Sequence, residues 1–356
     1  MFIKDLSCIS AQQTFDESFF EGAIIAKTGN RYSAIEPGYG TLIPAGLLRR
    51  MGKAVRIGVG TGLPLIQKNP DLDGIILATA NGGLEDCLKF LNQIVDYNEG
   101  TLTPTNFVQS TPNAVAGNLA LMSKNTGYNA THVNKGLAFE GALMDAFLLF
   151  DEKKARSLLL GSIEEISDYN FNIDLLAGTW KKDESSTETL LGSGTSGTVC
   201  GEAAVMFVVE DEESENSVAD IIDVDQISYA DESKLSEKLI SFLGKNNIDF
   251  SEIDTVILGY NGDSRSDHWY DWILENHFPG SAAYTYKNLV GDFPTATAFA
   301  VWMGAHILTG KKMPDETKLS KELHRKAEKI LIYNHHKGIQ HGFILMSAVS
   351  QSTKSF

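Results

Sequence analysis

The sequence predicts an α/β fold, a buried sheet between helical layers. Two observations carry that expectation: apolar strand-like runs closed by turns keep alternating with segments whose apolar residues recur at three and four spacings, and the runs are apolar enough to be covered on both faces. A third, the length of 356 residues with an ordinary globular composition, allows a large core in two domains or two fused halves.

Taken in order, residues 1–10 read as a strand, followed by a loop and a helix from about Ile43 with Arg49, Arg50 and Lys53 on its outer face. "DGIILATANGG" (73–83) is a buried strand ending in a Gly-rich turn, and "LEDCLKFLNQIVDY" (84–97) is a helix. A loop with Pro104 and Pro112 leads to the helix "AVAGNLALMSKNTG" (114–127) and the strand "YNATHV" (128–133). The next helix runs from Leu137, and Gly136, Ala138, Gly141 and Ala142 predict that another backbone comes very close to its start. Alternation continues through "ARSLLLGSIEEIS" (155–167) and "TVCGEAAVMFVVE" (198–210). The acidic stretch "EDEESENS" (210–217) has no apolar residue and is read as a boundary loop, giving halves 1–212 and 213–356. Beyond it, 230–248 reads as a helix, 253–263 as a strand and polar turn, 293–310 as a long helix, 318–334 as an amphipathic helix and 342–349 as a strand. No repeat of fixed period is visible.

A formal net charge of -16 without a basic stripe excludes nucleic acid and an anionic membrane surface as partners. For an acidic partner the best local patch is "LLRRMGKAVR" (47–56), which reads equally as a solvated helix face. The cysteines Cys8, Cys87 and Cys200 show neither ligand-like nor disulfide-framework spacing, and no signal peptide or membrane span is visible, so a cytoplasmic protein is expected. The sequon at Asn129 is then a chance match.

Several motifs invite chemistry and fail on context. "GSGTSG" (192–197) matches the dinucleotide fingerprint, but a polar run precedes it and a strand follows, where the fingerprint needs strand then helix; a loop is expected. "GVGTG" (58–62) is a weaker case of the same kind. His335, His336 and His341 have no second ligand cluster, and turn or strand-edge positions fit them better than a metal site. Glu164 and Glu165 could do acid/base work, but on an extended segment neighbours point opposite ways, so one should be solvated. Cys200 reads as a small buried apolar residue.

Segments in the right order nevertheless resemble the β-ketoacyl synthases of the thiolase superfamily over nearly the whole chain. "GEAAVMFVVE" (201–210) is similar to the family's Gly-Glu-Gly-Ala strand, differing at Ala203; 113–127 is similar to the segment before the nucleophile helix; "KNLVGDFPTATAFA" (287–300) fits a Lys-x-x-x-Gly-His motif. The resemblance implies a thiolase-like fold of two related halves in α-β-α-β-α layers, and no cofactor or metal. In that family a Cys at a helix start carries the acyl chain, two His bind the malonyl thioester carbonyl and the enolate, and a Lys supports the second His. Counted without gaps, the Cys position falls on Gly136, the first His on Asn261, the second on Asp292, and only Lys287 is retained. The family's Gly-Phe-Gly-Gly-Thr-Asn loop reads "NHHKGIQHG" (334–342).

Gly136 cannot form a thioester, and an ionised Asp292 only accepts hydrogen bonds and opposes a developing enolate. No catalytic residue is therefore expected to act alone. The segments 132–146 and 34–53 resemble the chain-length-factor-type subunits of aryl polyene and flexirubin-type pathways. That resemblance implies a degenerate subunit which pairs with an active ketosynthase, meets an acyl carrier protein and shapes the partner's tunnel, with Phe139, Glu140 and Met144 near the interface. The alternatives are a repurposed thioester hydrolase or acyltransferase using His268, Asp292 or a C-terminal histidine, and a homodimeric acyl-binding module.

Overall fold

The structure, a computed structural model, describes residues 1–22, 24–320 and 326–350. The first half contains β1 (Phe2–Ile9), β2 (Arg31–Tyr32), α1 (Ala45–Leu48), α2 (Lys53–Lys68), β3 (Gly74–Ala78), α3 (Leu84–Asp96), α4 (Pro104–Gln109), α5 (Ala114–Ser123), β4 (Tyr128–His132), α6 (Ala138–Asp151), β5 (Ser157–Glu164), α7 (Asp168–Leu176), β6 (Cys200–Gly201) and β7 (Ala203–Glu210). The second contains β8 (Ala219–Ser228), α8 (Glu232–Lys245), β9 (Thr255–Leu258), α9 (His268–His277), β10 (Ala282–Tyr284), α10 (Lys287–Val290), α11 (Thr297–Leu308), β11 (Lys329–His336) and β12 (Gln340–Ser347).

Ten strands form one mixed sheet in the order β10-β9-β11-β12-β8-β1-β7-β5-β3-β4, and β2 pairs with β6 apart from it. Read outward from the centre, the two halves repeat one pattern. β1-β7 and β7-β5 are antiparallel, β5-β3 and β3-β4 parallel; β8-β12 and β12-β11 are antiparallel, β11-β9 and β9-β10 parallel. The halves meet in a short antiparallel seam, Phe2 opposite Asp220 and Ile3 opposite Ala219, which the terminal amine reinforces by pairing with Asp220 at 3.0 Å.

Side-chain alternation along the strands builds the layers. In the first half Ile75, Leu77, Leu159, Met206 and Val208 pack outward against α2 and α5, while Ile76, Leu158, Leu160 and Phe207 face α6 and α11. In the second, Ile330, Ile332, Ile344 and Met346 join that same central cluster, and Leu331, Tyr333, Phe343 and Leu345 pack on α8 and α9. The result is α-β-α-β-α, as the resemblance implies. Because α6 and α11 pack against strands from both halves of the sheet, α11 is apolar on all sides and almost wholly buried.

Several expectations are corrected. Of the helix expected over 318–334, residues 321–325 lie outside the described residues and Lys329–His336 is a strand. The short run "ILIY" there fits either period, and pairing between β9 and β12 decides it. The helix from Ile43 breaks at Gly52, whose N–H is taken by Gln109 and whose Cα lies against Asp86. "GVGTG" is no loop but the interior of α2; a Cβ on Gly58 would meet Val115 at 2.5 Å, so its glycine lets α2 lie close to α5. The strand β8 and the helices α4 and α7 carry no clear period and are not legible in the sequence. Among the described residues no helix is long and apolar enough to cross a membrane.

Candidate functional site

Gly136 sits in a short 3-10 turn, Lys135–Leu137, that runs into α6. What comes close to it is the hairpin of β11 and β12: a Cβ at Gly136 would lie 2.1 Å from the Cβ of His336 and 2.8 Å from its Cγ. The Gly136 N–H donates to Gln340 Oε1 at 3.0 Å. Glycine is therefore required by space at this position. Burial pushes the His336 pKa down to about 4, so the ring beside Gly136 is neutral at pH 7, within electrostatic reach of Asp292 and Lys287.

Asp292 is placed by a close backbone approach. Gly201 of β6 faces Gly291 with no room for a side chain on either, a Cβ on Gly201 falling 2.2 Å from the Val290 carbonyl oxygen. Backbone bonds Asp292 N–H to Val199 O (2.7 Å) and Gly201 N–H to Asp292 O (2.9 Å) then fix the residue. Its carboxylate bridges two partners: Lys287 Nζ donates to Oδ1 at 2.8 Å and Asn261 Nδ2 to Oδ2 at 2.8 Å. Lys287 is 1 % exposed, and a lone ammonium at that depth would be costly to bury; Asp292 supplies its counter-charge.

Asn261 lies in the turn after β9. Its backbone N–H and that of Gly262 donate to Asp267, at 3.2 and 2.8 Å, and Thr198 Oγ1 donates to its carbonyl at 2.6 Å. Its side-chain oxygen accepts from the Asp263 N–H at 3.0 Å. Burial raises Asp267 to about 6 against the lowering effect of those two N–H bonds. The structure thus gathers Gly136, Asn261, Asp292 and Lys287 around His336, and the polar groups of the last three are spent on one another or on the backbone.

Glu140, one turn into α6, is 1 % exposed. Neither of its oxygens has a hydrogen-bond partner of normal geometry, although Thr297 and Lys287 lie close enough to favour the charged form. Burial wins and pushes its pKa up to about 7. Phe139 is likewise fully buried, against Phe207 at 6.1 Å between ring centres. Neither is a surface residue of this chain, and Met144 is partly buried.

The acidic pair is also corrected. Both Glu164 and Glu165 are buried, because β5 ends at Glu164 and each carboxylate finds backbone donors. Glu164 accepts from Ala80 and Asn81 in the turn after β3, and Glu165 accepts from Ala54 and Glu85, the second residues of α2 and α3. Burial still raises them to about 8 and about 7. Glu202, in the Gly-Glu segment, crosslinks Ala34 N–H (2.8 Å), Ile166 N–H (2.9 Å) and Lys53. With Arg56 paired to Glu36, the basic stretch 47–56 leaves Arg49 and Arg50 exposed.

The other singled-out residues do not converge on the site. His268 is exposed at the first residue of α9. His335 and His341 are not at a strand edge: they are buried opposite each other in the hairpin, bonded to Ser266 O and Tyr333 OH at 3.0 Å each. Among the described residues no group of three or more His, Cys, Asp or Glu is arranged to hold a metal ion. Cys200 is buried and its thiol is held well above its usual value, chiefly by burial. "GSGTSG" is a loop, held to the Asn261 turn by Lys181, whose ammonium donates to Thr195 O and Gly262 O at 3.0 and 2.9 Å. The sequence singled out His336 only as one of three C-terminal histidines and Gln340 only as part of the 334–342 stretch; their place beside Gly136 was signalled by the glycine alone.

No curated protein matches the sequence. Among solved structures, the fold is similar to a β-ketoacyl synthase from Burkholderia phymatum STM815 (TM-score 0.78, 15% identity, covering 98% of this chain and 99% of that one). It is similar to the ishigamide ketosynthase/chain length factor (0.78, 14%, 98% and 99%) and to a ketosynthase in complex with its chain length factor from Xenorhabdus doucetiae (0.74, 13%, 98% and 98%). Residues 28–174 match the family of the β-ketoacyl synthase N-terminal domain. The chain thus shares the fold of β-ketoacyl synthase structures over nearly its whole length, and its residues 28–174 are similar to that family's N-terminal domain.

Proposed function

We propose that the chain is a catalytically silent ketosynthase-like subunit that pairs with a Cys-bearing ketosynthase, meets its acyl carrier protein and shapes the acyl or polyene tunnel of a type II pathway, with halves 1–212 and 213–356. The observation that carries this reading is the start of α6, where a side-chain nucleophile has no room beside His336. A second support is the charge: Asp292, bound to Lys287 and Asn261, puts an acceptor where an enolate needs donors. The third is the sheet edge at β4, which pairs only with β3 among the described residues and exposes Tyr128 and Asn129. An open edge with Leu121, Val133 and Leu148 exposed around it suits a partner chain. Two of the similar structures are a ketosynthase/chain length factor and a ketosynthase bound to its chain length factor.

A tagged pull-down from the native host, read by native mass spectrometry, tests the pairing. Stoichiometric capture of a Cys-bearing ketosynthase is expected, and the isolated chain should take no covalent acyl label from acyl carriers. A homodimer that turns over acyl thioesters, with turnover lost in Asp292→Ala, would replace this reading by that of a repurposed enzyme.

A further inference from the structure

We propose that the turn joining β11 to β12 is a built-in seal that keeps external acyl carbonyls and thiols away from the start of α6. The hairpin presents alternate residue pairs to that helix. His336 opposite Gln340 and Asn334 opposite Gly342 lie on the α6 side, whereas His335 opposite His341 points the other way, toward Tyr270 and Trp269. From the α6 side the contacts are close. Gln340 spans the entry turn with one carboxamide, Oε1 accepting from Gly136 N–H at 3.0 Å and Nε2 reaching Asn134 O at 3.4 Å. The His336 side chain fills the volume next to the Gly136 Cα, and Gly342 is pressed against Glu140, a Cβ there falling 2.5 Å from Oε1.

The turn is also held from behind. Lys337 and Gly338 both take positive φ, 55° and 63°, the left-handed pair at the centre of a turn that the Ile339 N–H closes on His336 O at 3.0 Å, within a three-residue loop between the paired His336 and Gln340. Gly338 lies against Trp269, a Cβ there falling 2.9 Å from Nε1, and His335 Nδ1 accepts the Gly338 N–H at 3.2 Å. A short turn packed on both sides is a fixed cover. The amide oxygen of Gln340 takes the Gly136 N–H, which leaves no free backbone donor at that residue for an acyl carbonyl, and the His336 side chain fills the space a thioester would need. This deepens the proposed function and rests on it for its meaning: substrate refused here is left to the partner's nucleophile.

Thiol access on the full-length chain tests the seal separately from any partner capture. A reporter thiol is introduced by Gly136→Cys, alone and with His336→Ala and Gln340→Ala, and its rate of alkylation by iodoacetamide is followed by intact-mass spectrometry. The expected result is alkylation at least ~10-fold faster in the triple variant than in the single one; equal rates would overturn the seal. If the single variant does not fold, hydrogen exchange decides. In Gln340→Ala the Gly136 amide should exchange at least ~10-fold faster than in the unaltered chain, and unchanged exchange would overturn the proposal.

Discussion

The two ends of the ten-stranded sheet are built from equivalent strands of the two halves, yet they are finished differently. At β10 the outward backbone is covered: Ala283 N–H donates to Ser320 Oγ at 2.8 Å, Leu319 N–H donates to Ala283 O at 2.9 Å, and Tyr284 bridges Lys318. At β4 the inward groups are used, Tyr128 N–H on Asp73 O and His132 O by Thr79 N–H, so strand alternation turns the N–H and C=O of Asn129 and Thr131 outward. An uncovered edge is a pairing template, and among the described residues one half keeps such an edge, at β4. Fold symmetry thus does not extend to the surface; each edge is settled by what lies next to it.

The largest expected effect breaks that comparison at β4. Asn129→Pro removes an outward N–H without touching the β3 ladder, and should weaken capture of the proposed ketosynthase partner by at least ~100-fold, about 2.7 kcal/mol, with far-UV circular dichroism unchanged. Unaltered capture would move the partner interface away from β4.

The central helices give the next contrast. Gly136→Ala forces a methyl onto His336 and should cost on the order of 3 kcal/mol in urea unfolding. Gly304→Ala in α11 meets the flexible thioether end of Met346, at 3.0 Å, with Ile257 in ordinary contact at 3.5 Å, and gains helix propensity, so its unfolding free energy should change by less than about 1 kcal/mol. If the two substitutions cost the same, the close fit at α6 is not what holds the hairpin down.

At the covered end, Ala283→Pro should cost about 1–3 kcal/mol of stability by stripping a buried donor from Ser320, while leaving partner capture intact. Lost capture with unchanged stability would reverse the roles of the two edges.

The smallest expected effect is pH-dependent. Glu140 keeps its proton in the folded chain up to about 7, whereas an ordinary carboxyl at 4.5 has already lost it when unfolded, so this group's contribution to stability falls as pH rises from about 4.5 to 7. His336, at about 4 against 6.5, acts in the other direction and removes stability as pH falls through that window. Glu140→Gln should flatten the alkaline fall between pH 5 and 7.5 without abolishing it, because Glu164 and Glu165 still titrate there. A slope as steep as that of the unaltered chain would show that Glu140 does not carry it.

The strands with continuous apolar runs and the helices with a strong period, such as 73–78, 84–96 and 232–245, were legible because their burial is written in residue spacing. β8 was not, since Asp220, Asp223 and Asp225 alternate through it, and they are matched by the N-terminal amine and by Lys238, Lys245 and Asn246, groups far away in sequence. Glu164 and Glu165 misled for the same reason: the donors that hold them come from three other segments.

By itself, the sequence determined the alternation of strands and helices, the absence of a side-chain nucleophile at Gly136, and the need for something to approach α6 closely. These are local facts of residue type and period. The tertiary structure alone decided that the approaching element is the β11–β12 hairpin, that Asp292 is shared between Lys287 and Asn261, and that one sheet edge is covered and the other open. Each depends on contacts between segments tens to hundreds of residues apart, whose geometry no local spacing encodes.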